Sequence, residues 1–311
     1  MVVLPLLAAL ALALLLTPVA RRLAIRTGLL DHPVERSSHV TPTPFGGGHA
    51  IFAAFWATTA AFTWPLERPL VGLLIGSTIL LIVSTVDDKI KLPPLPRLAA
   101  QLGVGLIVYL FGVRVEQITN PLHGFLGPEI VVMGMWSLPV TVLWIAFVTN
   151  ALNWLDGLDG LAGGVSAIAA ITLALVAAVA GRAEVAVAVA ALAGAALGFL
   201  RYNFPPASIF MGDAGAMFLG FMLASMSVVG AVKGPAAVVL VVPLLVLGLP
   251  IYDSASTILS RLMKGQMPYY PDRAHLHHRL RDSGLSVRET VLFMYAITAL
   301  LCSIALGVWL R

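Results

Sequence analysis

Long apolar runs, one after another along the whole chain, constrain this sequence more than any other feature. Residues 2–20 contain no charged side chain, and comparable runs fall near 46–64, 70–86, 96–112, 136–152, 161–180, 184–200, 214–231, 236–258 and 289–310. A helix needs about 20 apolar residues to cross the hydrocarbon core of a bilayer, so the pattern predicts an all-α, polytopic membrane bundle of about ten transmembrane helices. Composition agrees: 59% of the 311 residues are hydrophobic and only 11% are charged, with a mean hydropathy of +0.95. A soluble domain carries about 25% charged residues. A soluble enzyme and a disordered chain are therefore excluded. Cys302 is the single cysteine, which also removes a disulfide scaffold and thiolate metal clusters.

Sidedness follows from the basic residues. Arg21 and Arg22 follow the first apolar run instead of preceding it, the reverse of a cleavable signal peptide. With ten spans, one side collects fourteen Lys and Arg and the other only Arg68, Arg114, Arg182, Lys233 and Arg311. The basic side is expected to be cytoplasmic, with both termini outside. The net charge of +4 then reports orientation, not nucleic-acid binding. No internal repeat is evident, and the chain reads as one membrane domain over 1–311, with cytoplasmic loops at about 21–45, 87–96, 153–160, 201–213 and 259–288.

Ionisable groups at or within spans are costly and are functional candidates by default. Asp87-Asp88 closes the third span, and adjacent helical residues point about 100° apart, so one carboxylate can face an ion and the other a substrate. Asn150, Asn153 and Asp156 recur every three residues at the end of the fifth span, followed by Gly157-Leu158-Asp159-Gly160. Asn203 precedes Phe210-Met211-Gly212-Asp213 at the start of the eighth span. The ninth loop holds His275, His277, His278 and Arg279, a set suited to an anionic, hydrogen-bonding substrate. The first loop carries Arg36-Ser37-Ser38-His39, then Thr41-Pro42-Thr43-Pro44-Phe45 and three glycines whose backbone N–H groups could cradle phosphate. Tyr252-Asp253 reads either as one more intramembrane carboxylate or as a polar bundle contact. All five clusters fall on the expected cytoplasmic face, although that topology rests on hydropathy and basic residues alone and uses neither Asp nor His. Several carboxylates, basic groups and glycine turns at one interface call for a divalent cation and a phosphorylated substrate. The donors are mostly oxygen, which favours Mg²⁺ over zinc.

Taken in order, Asp87-Asp88, the Asn153-to-Gly160 run, the Phe210-to-Gly215 segment and the His275-x-His277-His278 arm resemble the bacterial polyprenyl-phosphate N-acetylhexosamine-1-phosphate transferases. The likeness extends from about Arg36 to Arg281. Pro271 to Leu280 is similar to the branch that moves GlcNAc-1-phosphate from UDP-GlcNAc to undecaprenyl phosphate. Arg36 to Pro44 is similar to relatives using UDP-FucNAc or UDP-QuiNAc, and another branch of the superfamily uses UDP-MurNAc-pentapeptide. Phe45 stands where many relatives carry a basic residue.

The resemblance implies a reaction in which the lipid phosphate attacks the β-phosphate of the UDP-sugar and releases UMP, with Mg²⁺ as cofactor and Mn²⁺ able to substitute. It implies Asp213 as metal ligand with Asp88 and Asp156 near it, and Asp87 as the group that deprotonates or positions the lipid phosphate. Gly157, Leu158 and Asp159 would line a uridine pocket, Phe210 would stack on uracil, and Asn153 and Asn203 would orient diphosphate or sugar. His39, His275, His277, His278 and Arg279 would bind the sugar–diphosphate. It also implies a bacterial inner-membrane location and a homodimer. An ion-coupled transporter is the rival from another class, but its carboxylates are expected near the midplane. An intramembrane aspartyl protease would need Gly where Phe210 stands, and a CDP-alcohol phosphotransferase would need Ala-Arg where Leu161-Ala162 follow Gly160.

Overall fold

A computed structural model of the chain describes residues 1–31, 42–119, 130–231, 241–267 and 275–310. Its helices are α1 (Val3–Thr27), α2 (Gly47–Thr63), α3 (Arg68–Ile90), α4 (Pro94–Leu110), α5 (Ser137–Leu155), α6 (Leu161–Val179), α7 (Ala183–Asn203), α8 (Gly212–Ala231), α9 (Val241–Val246), α10 (Gly248–Met263), α11 (Leu276–Asp282) and α12 (Val287–Trp309). Two short antiparallel pairs accompany them: β1 (Leu30–Asp31) with β2 (Thr43–Pro44), and β3 (Gln117–Thr119) with β4 (Ile130–Val132).

The apolar runs are helical wherever their residues are described, but not all ten are full-length spans. Among the described residues, seven helices are long and apolar enough to cross a membrane. The runs at 46–64 and 96–112 give α2 and α4, each of 17 residues and so about 26 Å long, a little short of a ~30 Å hydrocarbon core. The ninth run divides at Leu247 into α9 and α10. Pro250 has no N–H to donate to the carbonyl of Val246, so the ladder breaks there. Helices also reach further into the expected loops than hydropathy indicates. The helical ladder of α1 carries Arg21, Arg22 and Arg26, that of α3 carries Asp87 and Asp88, and that of α7 runs to Asn203.

The ends of these helices have local causes. Gly28 closes α1 in the left-handed region at φ 69°, where glycine carries no Cβ penalty. A Pro-rich start fixes the entry to α4. Ser286 and Glu289 form a reciprocal capping box at α12.

Helix α8 is the innermost element. It is buried along almost its whole described length and packs against α2, α3, α5 and α6. Helix α7 lies against α1 and α6 through a surface of Ala and Gly. Small residues let backbones approach in a bilayer, where dispersion and close packing replace the hydrophobic drive. At Gly194 and Gly198 the approach is backbone to backbone. A Cβ on Gly194 would overlap the carbonyl oxygen of Leu6, and one on Gly198 would lie 2.5 Å from that of Leu10. By contrast, the region around Gly103 is open, and a Cβ there would meet nothing within 4 Å. Gly194→Val should therefore separate α1 from α7, cost the ~1–3 kcal/mol of an overpacked core and lower the melting temperature of the detergent-solubilised protein. Gly103→Ala should leave it unchanged or raise it. Thermal unfolding followed by size-exclusion chromatography reads both.

Candidate active site at one end of the bundle

The chain alternates direction, so the C-terminal ends of α3, α5 and α7 meet the N-terminal ends of α2, α4, α6 and α8. Hydrogen bonds seal this end. Gly47 N–H donates to Phe210 O at 3.0 Å, Gly48 N–H to Met211 O at 3.1 Å, and Phe210 N–H to Pro44 O at 2.9 Å. Gly48 lies so close to Gly215 that a Cβ would overlap its amide nitrogen. The glycine run of the first loop thus serves as a contact surface between the starts of α2 and α8.

A cleft of about 260 Å³ opens here. Of the residues expected to act, Asp88, Asp156, Gly157, Leu158, Asp159, Asn203, Phe210 and Asp213 line it, together with Asp31, Phe45 and Lys91. Among the described residues its lining is rich in carboxylates: Asp31, Asp88, Asp156, Asp159 and Asp213 lie there with the ammonium of Lys91. Lys91 lies 5.6 Å over the ring of Phe45, which brings a cation to the position where the family resemblance leads one to expect a basic side chain.

The carboxylates are not equivalent. Asp88 is 8% exposed; its Oδ1 accepts from Asp213 N–H at 2.9 Å and its Oδ2 from Ala214 N–H at 3.4 Å. It caps α8 from the neighbouring helix. Gly212 makes room for it, since a Cβ there would sit 2.6 Å from Asp88 Oδ2. Asp213, in the first turn of α8, accepts from Asn153 Nδ2 at 2.8 Å and lies 3.5 Å from Arg97 Nη2. Arg97 also donates to Asn153 Oδ1 at 3.1 Å and pairs with Asp87 Oδ2 at 3.0 Å. Asp87 is 1% exposed, takes Leu92 N–H on its other oxygen at 2.6 Å, and stands behind Arg97, outside the cleft lining.

Asp156 differs from all of these. It follows the last residue of α5 and, among the described residues, no hydrogen bond or ion pair reaches its carboxylate. Burial first, then the charges of Asp213, Asp88 and Asp159, push its pKa well above the usual carboxylate range. A carboxylate crowded by like charges and lacking a counter-charge is the environment a hard cation neutralises. Among the described residues no three such groups converge as a ready-made cage. Mg²⁺ is commonly held by one or two carboxylates plus substrate phosphates, and the residues that would hold one here are Asp156 and Asp213, both in the cleft lining.

The loops around the cleft are braced from behind. Asn203, 3% exposed, accepts from Gly160 N–H and donates to Ile209 O, both at 3.0 Å, so its amide is committed to holding two loops together. Asp159 Oδ2 accepts from Ala207 N–H at 2.9 Å. Tyr295 Oη donates to Gly160 O at 2.5 Å, Arg288 to Pro205 O at 2.9 Å and Arg21 to Ser208 O at 3.0 Å. The ring of Phe210 tilts against that of Phe45 with centroids 6.2 Å apart.

The histidine arm docks beside this cleft. His277, 1% exposed, packs on Gly157, where a Cβ would come within 2.5 Å of its Nε2. His275 and His277 stack 5.7 Å apart at 13°, and His278 lies 4.3 Å from His277. Burial pushes the His277 imidazole down to about 3, with the charge of His278 adding to the shift, so this ring packs neutral. Arg279 is exposed. His39, with Arg36 to Thr41, and Pro271 to Ala274 lie outside the described residues. Sequence reasoning gave no site role to Arg97, Arg21, Arg288 or Tyr295. Their partners are distant in the chain, and no local spacing announces them.

Comparison with known proteins decides the family. Residues 70–231, just over half of the chain and the stretch from α3 through α8, match the model described as "Glycosyl transferase family 4". A Bacillus subtilis protein named probable undecaprenyl-phosphate N-acetylglucosaminyl 1-phosphate transferase is 36% identical over 91% of this chain and 78% of its own length. The chain belongs to glycosyl transferase family 4. It is accordingly an enzyme of the phosphotransferase class, embedded in a membrane through several helices. A Mycobacterium tuberculosis protein named decaprenyl-phosphate N-acetylglucosaminephosphotransferase is 34% identical over 88% of this chain and 74% of its own length. The Escherichia coli K12 protein named undecaprenyl-phosphate alpha-N-acetylglucosaminyl 1-phosphate transferase is 26% identical over 92% and 78%.

The electrostatics of Asp156 yield a stability test with a definite sign. Its pKa is raised in the folded state, so the ionised group opposes folding above its unfolded pKa, and that opposition fades as pH falls through the folded value. Asp156→Asn in a divalent-free buffer should therefore melt above the wild type at neutral pH, by the ~2–4 °C that about 1 kcal/mol produces in a chain of this size. The difference should shrink as pH is lowered.

Proposed function

We propose that this enzyme transfers an N-acetylhexosamine 1-phosphate, GlcNAc 1-phosphate first among them, from its UDP-sugar to undecaprenyl phosphate. The reaction would occur at the cytoplasmic face of a bacterial inner membrane. One observation carries the reading: among the described residues, the cleft at the bundle end gathers five carboxylates, with Asp156 and Asp213 among them, beside the ammonium of Lys91. Such a cleft accepts an anionic diphosphate only together with a cation. The names of the relatives, which specify undecaprenyl or decaprenyl phosphate and N-acetylglucosamine phosphate, support the substrate classes.

Bound Mg²⁺ would neutralise diphosphate charge and favour departure of UMP. Asp213 and Asp156 are the residues to hold it. An oxygen of the lipid phosphate attacks the β-phosphorus of the UDP-sugar. The bond from that phosphorus to the bridging oxygen breaks, and UMP leaves with the electron pair. Such transfers depend on positioning and charge stabilisation more than on covalent help. Asn153 orients the Asp213 carboxylate. Arg97, on α4 and 25% exposed, reaches Asp213 and Asn153, where its guanidinium can meet phosphate oxygens. Asp87, buried behind it, fixes its direction. No strong base is required, because a phosphate monoester with a second pKa of about 6 is already largely ionised at neutral pH. Phe210 and the Gly157-to-Gly160 loop offer a ring face and close backbone for the uridine.

The test is UMP release by purified protein in detergent with Mg²⁺ and undecaprenyl phosphate. UDP-GlcNAc would be compared with UDP-FucNAc, UDP-QuiNAc and UDP-MurNAc-pentapeptide. The expected result is UMP that depends on lipid, metal and one donor, with UDP-GlcNAc preferred. Absence of UMP with every donor from folded protein would sink the reading. Asp213→Asn should abolish release. Arg97→Ala should lower kcat/KM by roughly 10²–10³, the scale for losing a preorganised electrostatic contact.

A further inference from the structure

The carboxylate buried most completely near the site is one the mechanism above does not use. Asp253, on α10, is 0% exposed. A buried carboxylate is expensive unless paired and hydrogen-bonded, and this one is directed at the histidine arm. Its Oδ2 lies 2.8 Å from His275 Nδ1, and its Oδ1 accepts the backbone N–H of Leu276 at 2.6 Å. Leu276 is the first residue of α11, so both oxygens grip the point where the arm turns into helix.

The consequences pass along the arm. An ionised carboxylate only accepts hydrogen bonds, so His275 Nδ1 carries the proton and Nε2 is the ring nitrogen left for a ligand. His277 stacks on His275 at 13° and meets Gly157 of the loop that follows Asp156. The ring of Trp154, from the end of α5, lies 6.4 Å from that of His275.

We propose that Asp253 is the positioning residue of the histidine arm: from α10 it fixes the proton of His275 and the start of α11, and thereby presents the arm to the sugar–diphosphate portion of the donor. This rests on the transferase reading above. It adds to that reading a residue that touches neither substrate nor metal, and a specific division of labour. The arm serves the sugar–diphosphate, whereas the nucleotide and the lipid phosphate are held by other elements.

Asp253→Asn is the informative variant. It keeps the volume and an acceptor for Leu276 N–H, but it lacks the charge and can turn an NH₂ toward Nδ1. The expected result is a KM for the UDP-sugar raised about 10- to 100-fold, the range for losing a hydrogen bond to a charged group. The KM for undecaprenyl phosphate and inhibition by UMP, which lacks the sugar and β-phosphate, should stay at wild-type values. Wild-type donor kinetics would overturn the proposal. So would a lower kcat with both KM values unchanged, which is the signature of a partly misfolded population.

Hydrogen–deuterium exchange gives an arm that does not depend on turnover. Asp253→Ala should speed exchange across residues 275–282 and leave α8 protected. Unchanged exchange there would also overturn the clamp. Wild-type protein inactive with every donor would instead fail the transferase reading, and the exchange result would then judge the clamp alone.

Discussion

The site depends on a constraint at the start of a buried helix. The first N–H groups of any helix lack intrahelical partners, and those of α8 open at the floor of the cleft. Asp88 supplies partners from α3, taking the amides of Asp213 and Ala214. The same contact places negative charge at the positive end of the α8 dipole and sets the direction in which the Asp213 side chain leaves the helix. Gly212, at φ 71°, is the residue that lets the chain turn into α8 without striking that carboxylate. Capping, helix packing and the orientation of Asp213 are therefore one interaction seen at three scales.

Around it the structure divides into a fixed part and an attached part. The loops at 156–160 and 204–211 are tied by Asn203, Asp159, Tyr295, Arg21 and Arg288 to the helices behind them. These ties satisfy backbone groups that would otherwise be stranded between membrane and water. The histidine arm is held differently, by Asp253 at its root and by the contact of His277 with Gly157.

Much of this was legible in the sequence. Where the residues are described, the apolar runs became helix, because burial in a bilayer leaves the backbone little alternative. The Asp, Asn and Gly clusters gathered at one end, because alternating spans return each helix junction to the same side. What remained hidden was pairwise. Hydropathy sees averages over windows, so it missed the break at Leu247 and the helical continuation past Arg21 and Asp87. It assigned Arg97 to a count of basic residues, whereas that side chain joins Asp87, Asn153 and Asp213 across 10, 56 and 116 positions of sequence. Asn203 lines the cleft as expected, and its amide also braces two loops, a tie that no local spacing announces. Asp253 could be read as a bundle contact or as something more, and only its distance to His275 distinguishes them.

The burial of α8 has a mechanical consequence. Helices α1 and α12 present most of their surfaces outward, whereas α8 is enclosed by α2, α3, α5 and α6. A bilayer that thickens, thins or bends does its work on the outer helices through tilt and local deformation. The helix that carries Asp213 has almost no surface on which that stress can act. The Asp213 carboxylate is in this sense set on the helix least exposed to the elastic state of the surrounding membrane.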